Sequence, residues 1–251
     1  MKSRLDKILF EKGLVPSRER AKAIIMEGKV YVNNLPITKA GAIINTDATI
    51  EIKGEDIPYV SRGGLKLEAA IRHFNIYLKD KIAMDVGTST GGFTDCMLQH
   101  GVKKVYCIDV GYGQIAWKLR QDNRIILLER TNIRYLNRER IMDDIDIATI
   151  DVSFISLKKV IPKVLEFLKD NGEIVALIKP QFEVGKGEVD KGGIVKDQIK
   201  RLRVIESLKE YFESLNLKTV GIIQSPISGQ KGNIEYLIYL RPTKKYTNLC
   251  S

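Results

Sequence analysis

Histidine and cysteine are scarce in this chain. It holds two histidines, His73 and His100, and three cysteines, Cys96, Cys107 and Cys250, with no Cys-x-x-Cys spacing. So sparse and odd a set excludes a disulfide framework and a zinc site, and no metal is expected. No apolar run is long enough to span a bilayer. The N-terminus, Met1-Lys2-Ser3-Arg4-Leu5-Asp6, is charged within six residues and has no signal-peptide core. The expectation is a cytoplasmic protein with no membrane partner. Internal repeats and low-complexity tracts are absent as well.

What is present is a foldable, basic chain. Hydrophobic residues make up 44% of its 251 residues, enough for a buried core in one large or two modest domains. The net charge of +10 favours a polyanionic partner. Residues 1–54 read as a separate unit. Leu5, Ile8 and Leu9 share one helical face, and Gly13 is placed to end that helix. Pro16-Ser17 offers a second helix start with Ser17 as N-cap, and Ala21, Ile24 and Ile25 form the next apolar face. "KVYVNN" and "ATIEIK" read as short strands, the first running into an Asn-Asn turn. Residues 1–40 carry nine lysines or arginines against four acids, a composition suited either to phosphate contact or to an ordinary solvated surface.

The words "RLDKIL", "SRERA" and "IIMEGKVYVNN" resemble the S-four RNA-binding domain over about the first fifty residues. The resemblance implies RNA binding by the two-helix face, with Arg4, Ser17, Arg18 and Lys22 as contacts. Residues 55–64 then read as a linker and 65–245 as a second domain.

In that second domain apolar strands are expected near 82–86, 104–109, 125–128, 146–150, 173–178 and 218–223, with helices at 91–100, 114–120, 157–169 and 197–214. Alternating β and α of this kind predicts an α/β fold with a parallel sheet covered on both faces. The loop at 224–233 is too short for a crossover helix, so the last strand, 234–240, should run antiparallel. A mostly parallel sheet with one late antiparallel strand resembles the Rossmann-like class I methyltransferase arrangement.

The stretch Asp85-Val86-Gly87-Thr88-Ser89-Thr90-Gly91-Gly92 fits two chemistries. Its core matches the G-x-S-x-G elbow of serine hydrolases. That reading needs a histidine after the serine, and His100, eleven residues on, lies at the far end of the helix the loop opens. A ten-residue helix spans about 15 Å, so no base reaches Ser89. The alternative is a cofactor turn. Gly87, Gly91 and Gly92 permit close backbone approach, with Ser89 in place of the usual middle glycine. Asp109, ending the next strand 22 residues after Gly87, is placed to accept from ribose hydroxyls. Asp85 would attract a sulfonium and repel a pyrophosphate, which favours S-adenosyl-L-methionine over a dinucleotide. Asn132, after the third strand, is the expected adenine contact.

Open parallel sheets bind ligands beyond the carboxyl ends of their strands. Asp151 and Lys179 end apolar strands there, Glu235 opens the antiparallel one, and Lys66 lies on the helix entering the first strand. In chain order the set resembles the K-D-K-E tetrad of FtsJ-like ribose 2′-O-methyltransferases. "SRGGLKLEAAI", "DVGTSTGGFTD", "DVSFISL" and "LIKPQFEVGKGEVDKGGIV" resemble the TlyA family over nearly the whole chain. Amino-directed methyltransferases carry N-P-P-Y or D-P-P-Y where this chain has Asp151-Val152-Ser153-Phe154. The resemblance implies methylation of cytidine 2′-hydroxyls in the RNA of ribosomal subunits, with Lys66, Asp151, Lys179 and Glu235 catalytic. A lysine acting as base near neutrality needs its pKa lowered by about three units from about 10.4. Two other readings stay open: a non-catalytic ribosome-assembly factor on the same fold, and a haemolysin, a label some relatives carry.

Overall fold

The computed structural model describes residues 1–243 except 16, 27, 54–56, 186 and 191. The expected helix start at Pro16, part of the 55–64 linker and Cys250 lie outside the described residues. The chain divides into two compact units, one ending at Ser61 and one beginning at Arg62.

The first unit contains β1 (Lys2–Arg4), α1 (Leu5–Glu11), α2 (Arg18–Met26), β2 (Val30–Val32), β3 (Leu35–Pro36), β4 (Ile43–Asn45) and β5 (Ile50–Ile52). Helical spacing puts Leu5, Ile8 and Leu9 on one side of α1 and Ala21, Ile24 and Ile25 on one side of α2, and all six are buried. Gly13 ends α1 with φ +66°, where a side chain is disfavoured. Strand β2 is the centre of a three-stranded sheet with β3 and β5, and β1 pairs with β4. Asn33 and Asn34 join β2 to β3 with φ +48° and +66°, the two left-handed positions of a type I′ turn. The sequence reading missed β1, β3 and β4, which at two or three residues carry no period to detect.

The second unit runs α3 (Gly63–Phe74), β6 (Ile82–Val86), α4 (Gly92–Gln99), β7 (Lys104–Ile108), α5 (Trp117–Arg120), β8 (Ile125–Leu128), β9 (Ile145–Ile150), α6 (Ile161–Leu165), β10 (Leu168–Ile178), α7 (Pro180–Glu183), α8 (Gln198–Ser214), β11 (Leu217–Gln224) and β12 (Tyr236–Pro242). Seven strands form one sheet in the order β11-β12-β10-β9-β6-β7-β8. The pairs from β10 through β9, β6 and β7 to β8 are parallel, and β12 is antiparallel to both neighbours. This is the expected mostly parallel α/β sheet with a late antiparallel strand. After β6 the chain builds outward through β7 and β8, then returns to place β9 on the other side of β6. That reversal opens a crevice beyond the carboxyl ends of β6 and β9.

The middle of the chain departs from expectation. The helix expected over 157–169 is a 3₁₀ turn followed by the short α6, and β10 begins at Leu168 rather than 173. Leu168 pairs with Ile145 before the register shifts to Glu173 opposite Ile147. The bulge between them carries Asp170-Asn171-Gly172, and a Cβ on Gly172 would lie 2.4 Å from Leu168 Cγ. Polar bulge residues hid a strand that the apolar run alone did not reveal. The helix expected from 114 is only the single turn α5. Among the described residues, no helix is long and apolar enough to cross a membrane.

Candidate functional site

The glycine-rich turn is shaped by what presses on it. Gly87 has φ +87°, and a Cβ there would sit 2.4 Å from the Asp151 carbonyl oxygen, so any other residue would push the β6 and β9 rims apart. Gly91, at φ +92°, precedes α4, and its Cβ would sit 2.4 Å from Leu119 Cδ1. Gly92 begins α4. Ser89 is exposed with φ +49°, and its N–H donates to Asp109 Oδ2 at 2.7 Å. Gly111 N–H donates to the other Asp109 oxygen, also at 2.7 Å. Asp109 thus ties two loops together, and a carboxylate so engaged keeps acceptor positions for a ligand's hydroxyls. No histidine serves Ser89: His100, at the opposite end of α4, donates through Nδ1 to the Cys96 carbonyl at 2.9 Å.

Beside this turn lies a narrow crevice lined by Thr88, Ser89, Cys107, Asp109, Gly111, Gln114, Ile115, Leu127 and Glu129. Two carboxylates and no lysine or arginine face it. One expectation for this region is corrected. Asp85 does not present its charge to the crevice: it is 0% exposed and accepts from Thr94 Oγ1 at 2.6 Å and Thr149 Oγ1 at 3.1 Å. Burial pushes its carboxyl up to about 7. Asn132 spends its side-chain oxygen as a cap, accepting from Arg134 N–H at 3.1 Å. The carboxylate facing the crevice from the end of β8 is Glu129, which accepts from Gly113 N–H at 2.7 Å and is held below the usual carboxylate range by Arg120. The strand-end position signalled this neighbourhood, and the polar run 129–132 gave no means of choosing within it.

The four rim charges meet in two pairs. Lys66, on the second turn of α3, donates to Glu235 Oε2 at 2.5 Å, and both residues are buried. Lys179 Nζ lies 2.6 Å from Asp151 Oδ1 and donates to Ser153 Oγ at 2.9 Å. Asp151 Oδ1 is buried and has no hydrogen bond in line. The sheet explains the convergence. Ile178 on β10 pairs with Tyr236 on β12, so the next positions outward, Lys179 and Glu235, lie side by side. Asp151 follows β9, the strand on β10's other flank.

Two residues on this rim escaped the sequence reading. Ser153 holds Lys179. Phe154 is 86% exposed at φ +62°, a left-handed conformation that is strained for a bulky side chain. Its ring centroid lies 4.8 Å from that of Phe182 on α7. Glu183 fastens the two segments, accepting from Ser156 Oγ at 2.6 Å and Leu157 N–H at 2.8 Å. Nothing in the sequence distinguished Phe154 from a core phenylalanine.

In the first unit, Asp6 is fully buried and accepts from Arg4 Nε at 2.9 Å and an Arg18 terminal nitrogen at 3.1 Å. Arg4 does most to bring its carboxyl down to about 2. Both arginines stay about half exposed. Ser17 is the expected cap: its Oγ accepts from Arg20 N–H at 3.1 Å. Lys22 is exposed and has no ion pair or hydrogen bond among the described residues.

Comparison with known proteins bears on both units. Residues 59–242 match the family described as FtsJ-like methyltransferase, and residues 3–50 match the S4 domain. The chain is 42% identical over 241 residues to the 16S/23S rRNA (cytidine-2′-O)-methyltransferase TlyA of Mycobacterium tuberculosis, covering 96% of this chain and 90% of that one. It is 45% identical over 238 residues to Hemolysin A of Brachyspira hyodysenteriae, covering 94% and 98%. A solved Streptococcus thermophilus structure whose name carries the word hemolysin superposes with a TM-score of 0.77 at 42% identity, covering 96% of this chain and 89% of that one. The chain belongs to the FtsJ-like methyltransferase family and carries an S-four RNA-binding domain.

Proposed function

From that membership we propose that the protein methylates ribosomal RNA in ribosomal subunits, at a cytidine 2′-hydroxyl, with S-adenosyl-L-methionine as donor. The observation that carries this reading is the convergence of Lys66, Asp151, Lys179 and Glu235 on the rim beside the Asp109 crevice. The chemistry of the crevice lining supports this donor. Its two carboxylates and lack of any cation suit a positively charged ligand without phosphates, and Ile115 and Leu127 offer apolar walls to a base. Asp109 would hold the ribose, the Gly87–Gly92 turn would approach the ligand's backbone, and Glu129 would face its far end. When bound, adenosylmethionine supplies an electrophilic methyl on a sulfonium.

The chain's own residues position the other reactant. An ammonium has three donors. Lys179 directs one to Ser153 and lies against Asp151, leaving a direction for the 2′-oxygen. Lys179 orients that oxygen. Once the ammonium has given up one proton to solvent, the neutral amine's lone pair takes the hydroxyl proton as the oxygen–methyl bond forms, and Asp151 keeps the lysine in place. Lys66, steadied by Glu235, contributes positive charge toward the flanking phosphate. Phe154 and Phe182 offer a surface on which an exposed or flipped base can stack. Alignment of the reacting atoms supplies much of the rate. Arg4, Arg18 and Lys22 of the first unit would contact RNA phosphates. Relatives carry both transferase and hemolysin names, and the paired lysines beside a cation-free crevice favour the transferase.

The reading is tested by incubating purified ribosomal subunits with methyl-labelled adenosylmethionine and mapping 2′-O-methyl cytidines. Label should appear with the native chain and be lost with Lys179→Ala. No label in RNA from either subunit, or from assembly precursors, would favour the non-catalytic assembly factor.

A further inference from the structure

We infer that Asn233 is a positioning residue for the Lys66–Glu235 pair, acting through the backbone of Gly229. The inference rests on the methyl transfer proposed above. Asn233 lies two residues before Glu235 and is 2% exposed. Its side chain is fully engaged. Nδ2 donates to the Gly193 carbonyl at 2.9 Å and the Gln230 carbonyl at 3.1 Å, and Oδ1 accepts from Val195 N–H at 3.1 Å. Its main-chain carbonyl accepts from Gly229 N–H at 2.8 Å. A buried amide with these bonds made is rigid, and removing it strands the Gly193 carbonyl and the Val195 N–H.

Gly229 is where that rigidity reaches the rim. A Cβ built on it would sit 1.9 Å from Glu235 Oε1 and 2.3 Å from Cδ. The glycine backbone therefore lies flush against the carboxylate, while Oε2 faces Lys66. The Glu235 main chain is fixed as well, because Ser225 N–H donates to its carbonyl at 2.9 Å. With Gly229 as a wall on one side and Lys66 on the other, the carboxylate has one orientation. Asn233 also fastens the segment that follows Lys179. That segment is anchored again by Lys231 Nζ on the Gly192 carbonyl at 2.9 Å and by Arg201 on the Val195 carbonyl at 3.0 Å. The stretch after Lys179 and the stretch before Glu235 form one braced body.

The test uses Asn233→Ala, Asn233→Asp and Gly229→Ala in the full chain, each alone and on a Glu235→Gln background. Turnover is measured on ribosomal subunits with labelled adenosylmethionine. Asn233→Ala should lower kcat by about 100-fold, the cost of a small misplacement near reacting atoms. KM for adenosylmethionine should stay within about twofold, and the further loss on the Glu235→Gln background should be under about twofold, because residues acting as a unit are non-additive. Asn233→Asp, which keeps the Val195 bond and loses two donors, should fall between. An unchanged kcat, or the same fold-loss in both backgrounds, overturns the inference.

Should Asn233→Ala fail to fold, Gly229→Ala decides alone. Gly229 has φ −74°, which alanine adopts freely, and the three nearest atoms to its Cβ all belong to the Glu235 carboxylate. A second readout needs no turnover. The Lys66 ammonium signal in a nitrogen-15 spectrum persists only while its protons are held from exchange. It should be visible in the native chain and lost in Gly229→Ala; its persistence would overturn the brace. Absence of methyl transfer by the native chain, with that signal still lost in the variant, would overturn the proposed reaction and leave the brace standing.

Discussion

Both ends of the large sheet carry partly buried lysine–carboxylate pairs, satisfied to different degrees. At the amino ends of the parallel strands, Glu173 is 6% exposed and accepts from Lys81, from the Tyr239 hydroxyl at 2.5 Å and from Arg241 at 2.5 Å. Burial pushes its carboxyl up, but these partners outweigh burial and leave it below the usual range. At the carboxyl ends, among the described residues, Asp151 Oδ1 is buried without an in-line hydrogen bond and Lys179 holds only Ser153 and Asp151. The same residue types form a rivet where lone pairs are taken and, in the proposed reaction, a reactive set where positions are left open. Counting satisfied lone pairs separates the two rims where counting charges does not.

The largest expected effect tests the open rim. Lys179→Ala should lower methyl transfer by about 10²- to 10⁴-fold, the range for a proton-transferring side chain. Adenosylmethionine binding by calorimetry should be unaffected, because the lysine is outside the crevice lining. Near-normal turnover would end its assignment. The converse variant is Glu173→Ala, which leaves a lysine, an arginine and a phenol without their acceptor. It should cost about 3 kcal/mol in urea unfolding, as loss of one partner of a buried pair does. Transfer per folded molecule should change by less than about twofold, because Glu173 lies at the opposite end of the strands from Lys179. If Lys179→Ala proves the more destabilising of the two, the contrast between rims fails.

Acid sharpens the same contrast. A carboxylate whose folded pKa is lowered contributes stability above its unfolded value, lost as pH falls through the folded one. Glu173 should therefore contribute to unfolding below about pH 4.5, and Glu173→Gln should flatten that limb. Asp85 has the opposite sign. Its folded pKa of about 7 exceeds the ordinary 3.8, so its contribution is fully present below 3.8 and is lost as pH rises through about 7. Asp85→Asn, keeping the partners Thr94 and Thr149, should remove that decline. An unaltered stability profile between pH 4 and 7 in Asp85→Asn would show that Asp85 is not neutral in the folded state.

Asp85 also marks the limit of what the sequence disclosed. The sheet was legible because parallel strands buried on both faces appear as apolar runs, as in Ile145–Ile150. The rim set was legible because charges ending such runs fall on the ligand side. Burial of Asp85 was not, because it depends on Thr94 and Thr149, and the latter is 64 residues away and brought alongside only by β6–β9 pairing. Its charge had been assigned to the ligand, but the carboxylates that line the crevice are Asp109 and Glu129. Phe154 was hidden for a related reason: φ and exposure are set by the β9 rim, and the residue type alone predicts burial.

The smallest expected effect carries the lone-pair criterion into the first unit. Arg4 and Arg18 share the buried Asp6, so part of each guanidinium is committed to that carboxylate, and Arg18 through it ties α2 to α1. Lys22 is committed to nothing among the described residues. Lys22→Ala should therefore act only through phosphate attraction. Its affinity for ribosomal RNA should fall a few-fold, and the slope of log affinity against log salt should lessen by about one. Stability should stay within about 0.5 kcal/mol. Arg4→Ala should weaken RNA binding too, but with a loss of stability that is absent in Lys22→Ala, because Asp6 would then be buried with one partner fewer. Equal stability in the two variants would show that the Asp6 cluster is not a brace, leaving Arg4 and Arg18 as open to RNA as Lys22.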